Sequence, residues 1–535
     1  MIIIKEVKVM NINKLNIQNE KPIYPDFSMV DIYDKYPTNP EQEIEDNYTN
    51  ETKVPEEGQK KKWLVILYSA GDNNLASFLH EDINELESVG SDENTHIVTI
   101  ADQGKQWNAA FKGAKVFYLK KDPDMNKINS PLLKNLGQVN TADPKFMATS
   151  IAEVIKRFPA DHIAIIIGDH GNGWEGAIED DTHNKFMSLP EIREALEEIY
   201  QKTGKRIDLL AFDACLMAMA EVGYELKNAV KYLVASEETE GGSGYNYSIV
   251  FSKAIKDAIS NLQQAALFKV NVDPEEFAKI IVESAKQYSN DIETISAVDL
   301  DKVNELVSKI DEFAKLVIPK TKDAKLYDYF QKLKETSNSL TELSNYKNLN
   351  TNDLQKIIEE LDKYKSLVDA LSNVLGNQNN NNLNNIDYKT LLTQLNDLQN
   401  KLNNLLSKTQ TTLDVKKIES FLNELSSSKE DINKIKEKIR KTQNFAVGSY
   451  RDLYHFAKLI YEDNTISQDL RDKAKEIMDA IDKYIINEFS NDKYKNAYGV
   501  SIELPTYGSV SNEYKDTQFA KNTSWDEMLD KLNKT

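Results

Sequence analysis

Two residues in this sequence could together form a covalent catalyst. The stretch RIDLLAFDACLMAMAEVGYEL, residues 206 to 226, holds Cys215, the only cysteine among 535 residues. A second stretch, HIAIIIGDHGNGW, residues 162 to 174, leads from an apolar run into a glycine-rich turn that carries His170. A thiolate is a nucleophile, and an imidazole can take and return its proton, so the pair would suit covalent acyl transfer. Each residue alone has a plainer explanation, because unpaired cysteines are commonly buried and inert and histidines are ordinary in turns. Their joint placement argues more strongly. They lie 45 positions apart, each just beyond an apolar run, with one helical pattern between them. That spacing predicts a thiol and an imidazole at the ends of two strands joined by one crossover helix.

The elements that must hold them alternate between strand and helix patterns. WLVILYSA from Trp63, HIVTIAD (96 to 102), KVFYL (115 to 119), HIAIII (162 to 167) and RIDLLAFDA (206 to 214) read as strands. LASFLHEDINELESV, PKFMATSIAEVIKRF (144 to 158) and SLPEIREALEEIYQK (188 to 202) carry helical spacing. Such alternation predicts an α/β fold with a mostly parallel sheet covered on both faces, and sites in such sheets lie beyond the carboxyl ends of the strands. Residues 1–62 read as an extended acidic arm, rich in proline and too polar to bury much surface, and a candidate pro-segment. Residues 63–319 are expected to form the core and 320–442 a helical insertion. In that insertion Leu391, Leu395, Leu398, Leu402 and Leu405, then Ile418, Leu422, Leu425, Ile432, Ile435 and Ile439, step as in a coiled coil around the Asn-rich loop 377–385. An α/β pattern resumes over 443–535, with YRDLYHFAKLIYED helical and AYGVSIELP (497 to 505) strand-like.

Composition narrows the partners. With 66 Lys and Arg against 86 Asp and Glu the formal charge is −20, which repels a phosphate backbone and attracts basic substrates. One cysteine can form neither an internal disulfide nor a cysteine zinc site. No apolar span reaches the length of a transmembrane helix, and the amino-terminal stretch lacks the pattern of a secretory signal. The expectation is therefore a cytoplasmic protein or one released by a non-standard route.

The blocks DHGNGW, FDACLMAMAEVGYEL and YLVASEETEGGSGYNY, with WLVILYSAGDNNL before them and GVSIELP and EYKDTQFAKNTSWDEML after, resemble the clostripain-like cysteine peptidases, family C11 of the caspase-like clan. The resemblance covers roughly residues 63–318 and 440–535. It implies a caspase-like α/β/α sandwich, His170 as acid and base, Cys215 as nucleophile, and an oxyanion hole from the N–H groups of Gly171 and Cys215. It also implies cleavage after Arg or Lys, with Asp213 in the pocket for the basic side chain. Asp213 has a competing explanation as the N-cap of the following helix. Self-cleavage between His170 and Cys215 would fall after Lys185, Lys202, Lys205 or Arg206. Members of this family are usually exported, in contrast to the absence of a signal pattern here.

The resemblance further implies peptide or protein substrates with basic P1 residues, no cofactor for the chemistry itself, and room for calcium near the acidic loop EDDTHN. A metal-hydrolase site from Asp180, Asp181, His170 and His183 is the weakest alternative, because these residues lack a fixed helical ligand spacing. A different class of function is a caspase-like scaffold that docks a partner through its helical insertion.

Overall fold

The computed structural model describes residues 52–104, 110–256, 272–288, 291–321 and 415–534. The leucine series at 391–405, the Asn-rich loop and most of the amino-terminal arm lie outside these residues.

In chain order the strands are β1 (Lys61–Gly71), β2 (Thr95–Gln103), β3 (Ala114–Tyr118), β4 (Leu132–Gly137), β5 (Ala160–Gly168), β6 (Gly176–Asp180), β7 (Lys185–Ser188), β8 (Ile207–Asp213) and β9 (Val230–Ala235). They continue with β10 (Thr294–Asp299), β11 (Tyr450–Asp452), β12 (Ile485–Ser490) and β13 (Ser501–Glu503). Nine of them build one sheet in the order β12-β10-β9-β8-β5-β1-β2-β3-β4. The middle five, β9, β8, β5, β1 and β2, run parallel. The flanking strands are antiparallel.

Side chains alternate across a strand, so a sheet covered on both faces needs apolar residues at every position of its central strands. In β1, Leu64, Ile66 and Tyr68 enter one core, while Trp63, Val65 and Leu67 enter the other. In β5, Ile163, Ile165 and Ile167 are separated in the same way from Ala164 and Ile166. The first core is completed by Ile151 and Val154 of the helix Pro144–Arg157 and by Leu196 and Ile199 of the helix Leu189–Thr203. The second is completed by Ile83 and Leu86 of the helix Ala76–Val89 and by Phe277 and Ile281 of the helix Pro274–Tyr288. Truncating any of these large side chains to alanine costs about 2–5 kcal/mol.

The chain after the insertion belongs to the same body. β12 pairs with β10 at the sheet edge, and Phe456, Ile477 and Trp525 lie in the first core. So do Ile432, Ile435 and Ile439 near the end of the helix Val415–Lys441. The carboxyl ends of the central strands come level, since Ser69 of β1 is opposite Gly168 of β5 and Gly168 is opposite Asp213 of β8. The loops that follow these three strands therefore meet.

Candidate active site

His170 leaves β5 two residues after Gly168, on a loop held by Asp169. That buried carboxylate accepts the His170 N–H (2.5 Å), the Glu179 N–H (2.7 Å) and the Asn73 amide (2.7 Å). The imidazole Nε2 lies 2.6 Å from Asn74 Oδ1 and 3.8 Å from Glu179 Oε2. Burial pushes its pKa below the usual histidine value, against the pull of Glu179 and Asp181. A neutral ring that donates Nε2–H to the Asn74 carbonyl oxygen keeps Nδ1 as a proton acceptor. Glu179 is placed by a bulge in the β6–β7 hairpin, where Ile178 has φ 73° and the register shifts between Ala177 and Glu179. A β-branched residue in the left-handed region is strained, and such bulges re-aim the next side chain.

Cys215 leaves β8 two residues after Asp213. Its backbone turns sharply at Leu216, which has φ 67°, and the turn is fastened by Leu216 N–H to Glu238 O (3.1 Å) and Ala218 N–H to Ser236 O (2.9 Å). Sγ accepts the Glu240 N–H at 3.3 Å and lies 3.8 Å from the Glu240 carbonyl. Burial, reinforced by Glu238 and Asp213, pushes the thiol pKa up. Both shifts favour the uncharged form of their group. The His170 loop is pressed onto this turn: a Cβ on Gly171 would stand 2.4 Å from the Cys215 carbonyl oxygen. Only glycine allows that approach. The bridge between Gly171 and Ala177 uses the His170 carbonyl and the Asn172 N–H, which leaves the Gly171 N–H outside it.

Asp213 is not a helix cap. The next helix, Ala220–Leu226, begins after Met219, and the Asp213 carboxylate instead accepts the Tyr247 hydroxyl (2.6 Å) and the Tyr245 N–H (3.2 and 3.3 Å). Around it lies a cluster of acidic side chains that sequence reasoning missed. The Glu240 carboxyl leans on Asp213, and both of its oxygens are buried without a well-placed hydrogen-bond donor among the described residues. Asp82 and Glu85 approach from the helix Ala76–Val89, Glu85 accepting the Tyr247 N–H at 2.7 Å. Burial first, and mutual repulsion next, push Asp82 and Glu240 up. Buried carboxylates of one sign are costly unless a cation joins them.

The basic residues between His170 and Cys215 are dispersed. Lys185 lies in β7 and pairs with Glu191 (2.6 Å), whose carboxylate also closes the Ser188 capping box of the next helix. Lys202 sits within that helix and bonds Glu198 (3.0 Å). Lys205 lies on the exposed turn beyond it, and Arg206 reaches Asp301 (2.8 Å) and the carbonyls of Lys227 and Val230. The residues weighed for a metal-hydrolase site do not converge. His183 lies 2.9 Å from Asp180, while His170 is occupied by Asn74; the cluster of ligand-type residues found among the described residues is Asp72, Asp102 and Asp180. The neighbouring Asn74 and Glu240 carried a faint signal in GDNNL and EETEGG, since both strings follow apolar strands, but nothing in either string points to a partner.

No helix of the described residues is long and apolar enough to cross a membrane. Comparison with known proteins bears on the fold and the family. Clostripain of Hathewaya histolytica is 24% identical over 276 residues, which is 44% of this chain and 48% of that protein. The chain thus spans about half the length of this curated relative. Among solved structures, the secreted C11 cysteine protease "iotapain" of Bacteroides thetaiotaomicron matches 88% of this chain and 99% of its own at 13% identity, with a TM-score of 0.50. A secreted C11 cysteine protease of the same organism in complex with an irreversible peptide inhibitor matches the same shares at 16% identity and a TM-score of 0.49. The first of these likenesses supports the α/β architecture. The model of the clostripain family matches residues 67–398, most of the chain and both strand ends described above, and the chain belongs to that family.

Proposed function

We propose that this chain is a cysteine endopeptidase that cleaves after Arg or Lys. The observation that carries the reading is a lone thiol and an imidazole on loops after adjacent parallel strands, with Asp213 and the two buried, unpartnered oxygens of Glu240 close to the thiol. A basic P1 side chain entering between Asp213 and Glu240 would join them and lift their repulsion, whereas an acidic side chain would add to it. Docking of the scissile bond displaces Sγ from the Glu240 backbone. His170 Nδ1 takes the thiol proton, and Sγ attacks the carbonyl carbon. The oxyanion is met by the N–H groups of Gly171 and Cys215, and the imidazolium by Asn74 and Glu179. His170 then returns the proton to the leaving amine. Water, deprotonated by the same nitrogen, hydrolyses the thioester and restores the thiol.

Self-processing is part of this reading. Lys185 is the favoured position, because an extended segment suits a peptidase cleft and Lys202 lies inside a helix. Incubating the pure chain with a peptide library, followed by mass spectrometry, tests all of this together. Cleavage after Arg and Lys, and a new terminus after Lys185, should appear for the wild-type chain and vanish for Cys215→Ala. Unchanged cleavage by Cys215→Ala would refute the mechanism. A chain that is folded, unreactive toward Arg- or Lys-bearing electrophiles and silent on the library would instead be the scaffold.

A further inference from the structure

Phe78 is a large apolar side chain that the fold leaves 39% exposed, and no part of the proposed chemistry uses it. It lies in the first turn of the helix Ala76–Val89. Asp82 follows four residues later, and residues four apart in a helix share a face. Asp82 is buried within electrostatic reach of Asp213. Four residues before Phe78, on the turn that feeds the helix, Asn74 meets the imidazole at 2.6 Å. This wall therefore runs inward from the reacting groups as Asn74, Phe78 and Asp82.

The loop 239–244 forms the opposite wall. Its Glu240 N–H reaches Sγ at 3.3 Å, and a Cβ on Gly244 would stand 2.2 Å from Asp213 Oδ1. Gly241 N–H fastens the loop to the Asp291 carbonyl (3.0 Å). Between these ties Gly242 is exposed and lies under the Phe78 ring, where a Cβ would stand 2.9 Å from two ring carbons. Only glycine lets the ring come so near. Phe78 thus bridges the two walls beside carboxyl groups that are themselves buried.

An Arg or Lys side chain presents its parts in a matching order, methylenes near the backbone and a cation at the tip. We propose that Phe78 is a specificity-determining residue, its ring turning from Gly242 onto the methylene stem of the substrate's basic P1 side chain while the cation passes to Asp213 and Glu240. The assignment rests on the reading of the chain as a peptidase for basic P1 residues and adds an apolar component to it. Carboxylates select the charge, and the ring selects the stem that carries it. An exposed aromatic side chain changes rotamer within nanoseconds, so one ring can cover the acidic cluster and then bind what enters.

The test reads binding to the full chain carrying Cys215→Ala, so that turnover and self-cleavage do not intrude. Peptides identical except for Arg, Lys or Glu at P1 are titrated by calorimetry. Adding Phe78→Ala should weaken the Arg and Lys peptides about tenfold and leave the Glu peptide unmoved, while Phe78→Leu, which keeps an apolar surface, should recover most of the loss. With carbon-13 in the P1 Arg side chain, the bound methylene protons should shift upfield under the ring current, and Phe78→Ala should remove that shift. An Arg peptide that binds Phe78→Ala as tightly as its parent, or a methylene shift that survives the substitution, overturns the assignment and leaves the charge reading of Asp213 standing. An Arg peptide bound no better than the Glu peptide by the parent chain removes the basic P1 reading and this assignment together.

Discussion

Replacing Asp213 by asparagine removes a charge and nearly preserves a shape. In the proposed pocket the lost interaction is a charge-assisted contact between a buried carboxylate and a guanidinium or ammonium, which is worth about 1.5–3 kcal/mol. At 1.36 kcal/mol per decade this is about a 10- to 150-fold fall in kcat/KM for Arg and Lys substrates. The structural cost can be worked separately. An asparagine oxygen in the place of Oδ2 can still accept both the Tyr247 hydroxyl (2.6 Å) and the Tyr245 N–H (3.2 Å), while the amide group in the place of Oδ1 forfeits the longer branch of the shared Tyr245 bond (3.3 Å), a cost below about 1 kcal/mol. Against that, a negative charge disappears from beside Asp82 and Glu240, which favours the variant. The two effects oppose each other, and the melting temperature should move by less than about 3 °C. The assay compares kcat/KM for peptides identical except for Arg, Lys or Gln at P1, with thermal melts of the same preparations. A ratio of Arg to Gln turnover that does not change would refute the pocket. Combining Asp213→Asn with Glu240→Gln then reports whether the two carboxyls act on the same cation, because coupled partners lose less together than the sum of their separate losses.

Asn74→Ala removes the acceptor that holds His170 Nε2–H; kcat should fall at least about tenfold with KM little changed, and Asn74→Asp should restore part of it. An Asn74→Ala variant with wild-type kcat would free the imidazole of that support. Glu221 has its pKa raised to about 7 by burial, its Oε1 accepting the Glu503 N–H and the Tyr514 hydroxyl (2.9 Å each). The folded chain therefore holds a proton that the unfolded chain gives up near pH 4.5, and the stabilisation is complete below that pH and lost as pH rises through 7. Its size is about 3 kcal/mol, so melts between pH 5 and 8 should fall more steeply for the wild-type chain than for Glu221→Gln; parallel curves would count against it. Removing residues 323–427 and joining the ends with a short Gly-Ser linker should leave small-peptide cleavage measurable. Lys320 and Asp431 lie 3.1 Å apart across that cut, and Ile432, Ile435 and Ile439 stay in the core; a folded but inactive product would place catalytic parts within the deleted stretch.

Much of the architecture was legible because the central strands obey a simple rule. Runs such as WLVILYSA and HIAIII are apolar at successive positions, which only a doubly covered strand requires, and each was found where its pattern placed it. The antiparallel edges were harder to see, since β4 and β12 are short and half-exposed and resemble loops in composition. His170 and Cys215 were visible because both follow such runs. Glu240, Asp82 and Asn74 were not, for their roles depend on which loops meet in space. Asp213 illustrates the difference: its sequence position admits both a cap and a pocket, and the start of the next helix at Ala220 rules out the cap.

The His170 loop is clasped by residues made very late. Tyr450 donates its hydroxyl to the Asn172 carbonyl (2.8 Å), Trp174 donates its indole N–H to Glu503 (3.0 Å), and β12 completes the sheet edge. On a ribosome, 288 residues separate Cys215 from Glu503, which at 5–20 residues per second is roughly 15 to 60 s of synthesis. Throughout that interval the nascent chain carries its thiol without the clasp that holds the His170 loop. If the chain is the peptidase proposed above, its order of assembly delays a steadied imidazole until synthesis is nearly complete.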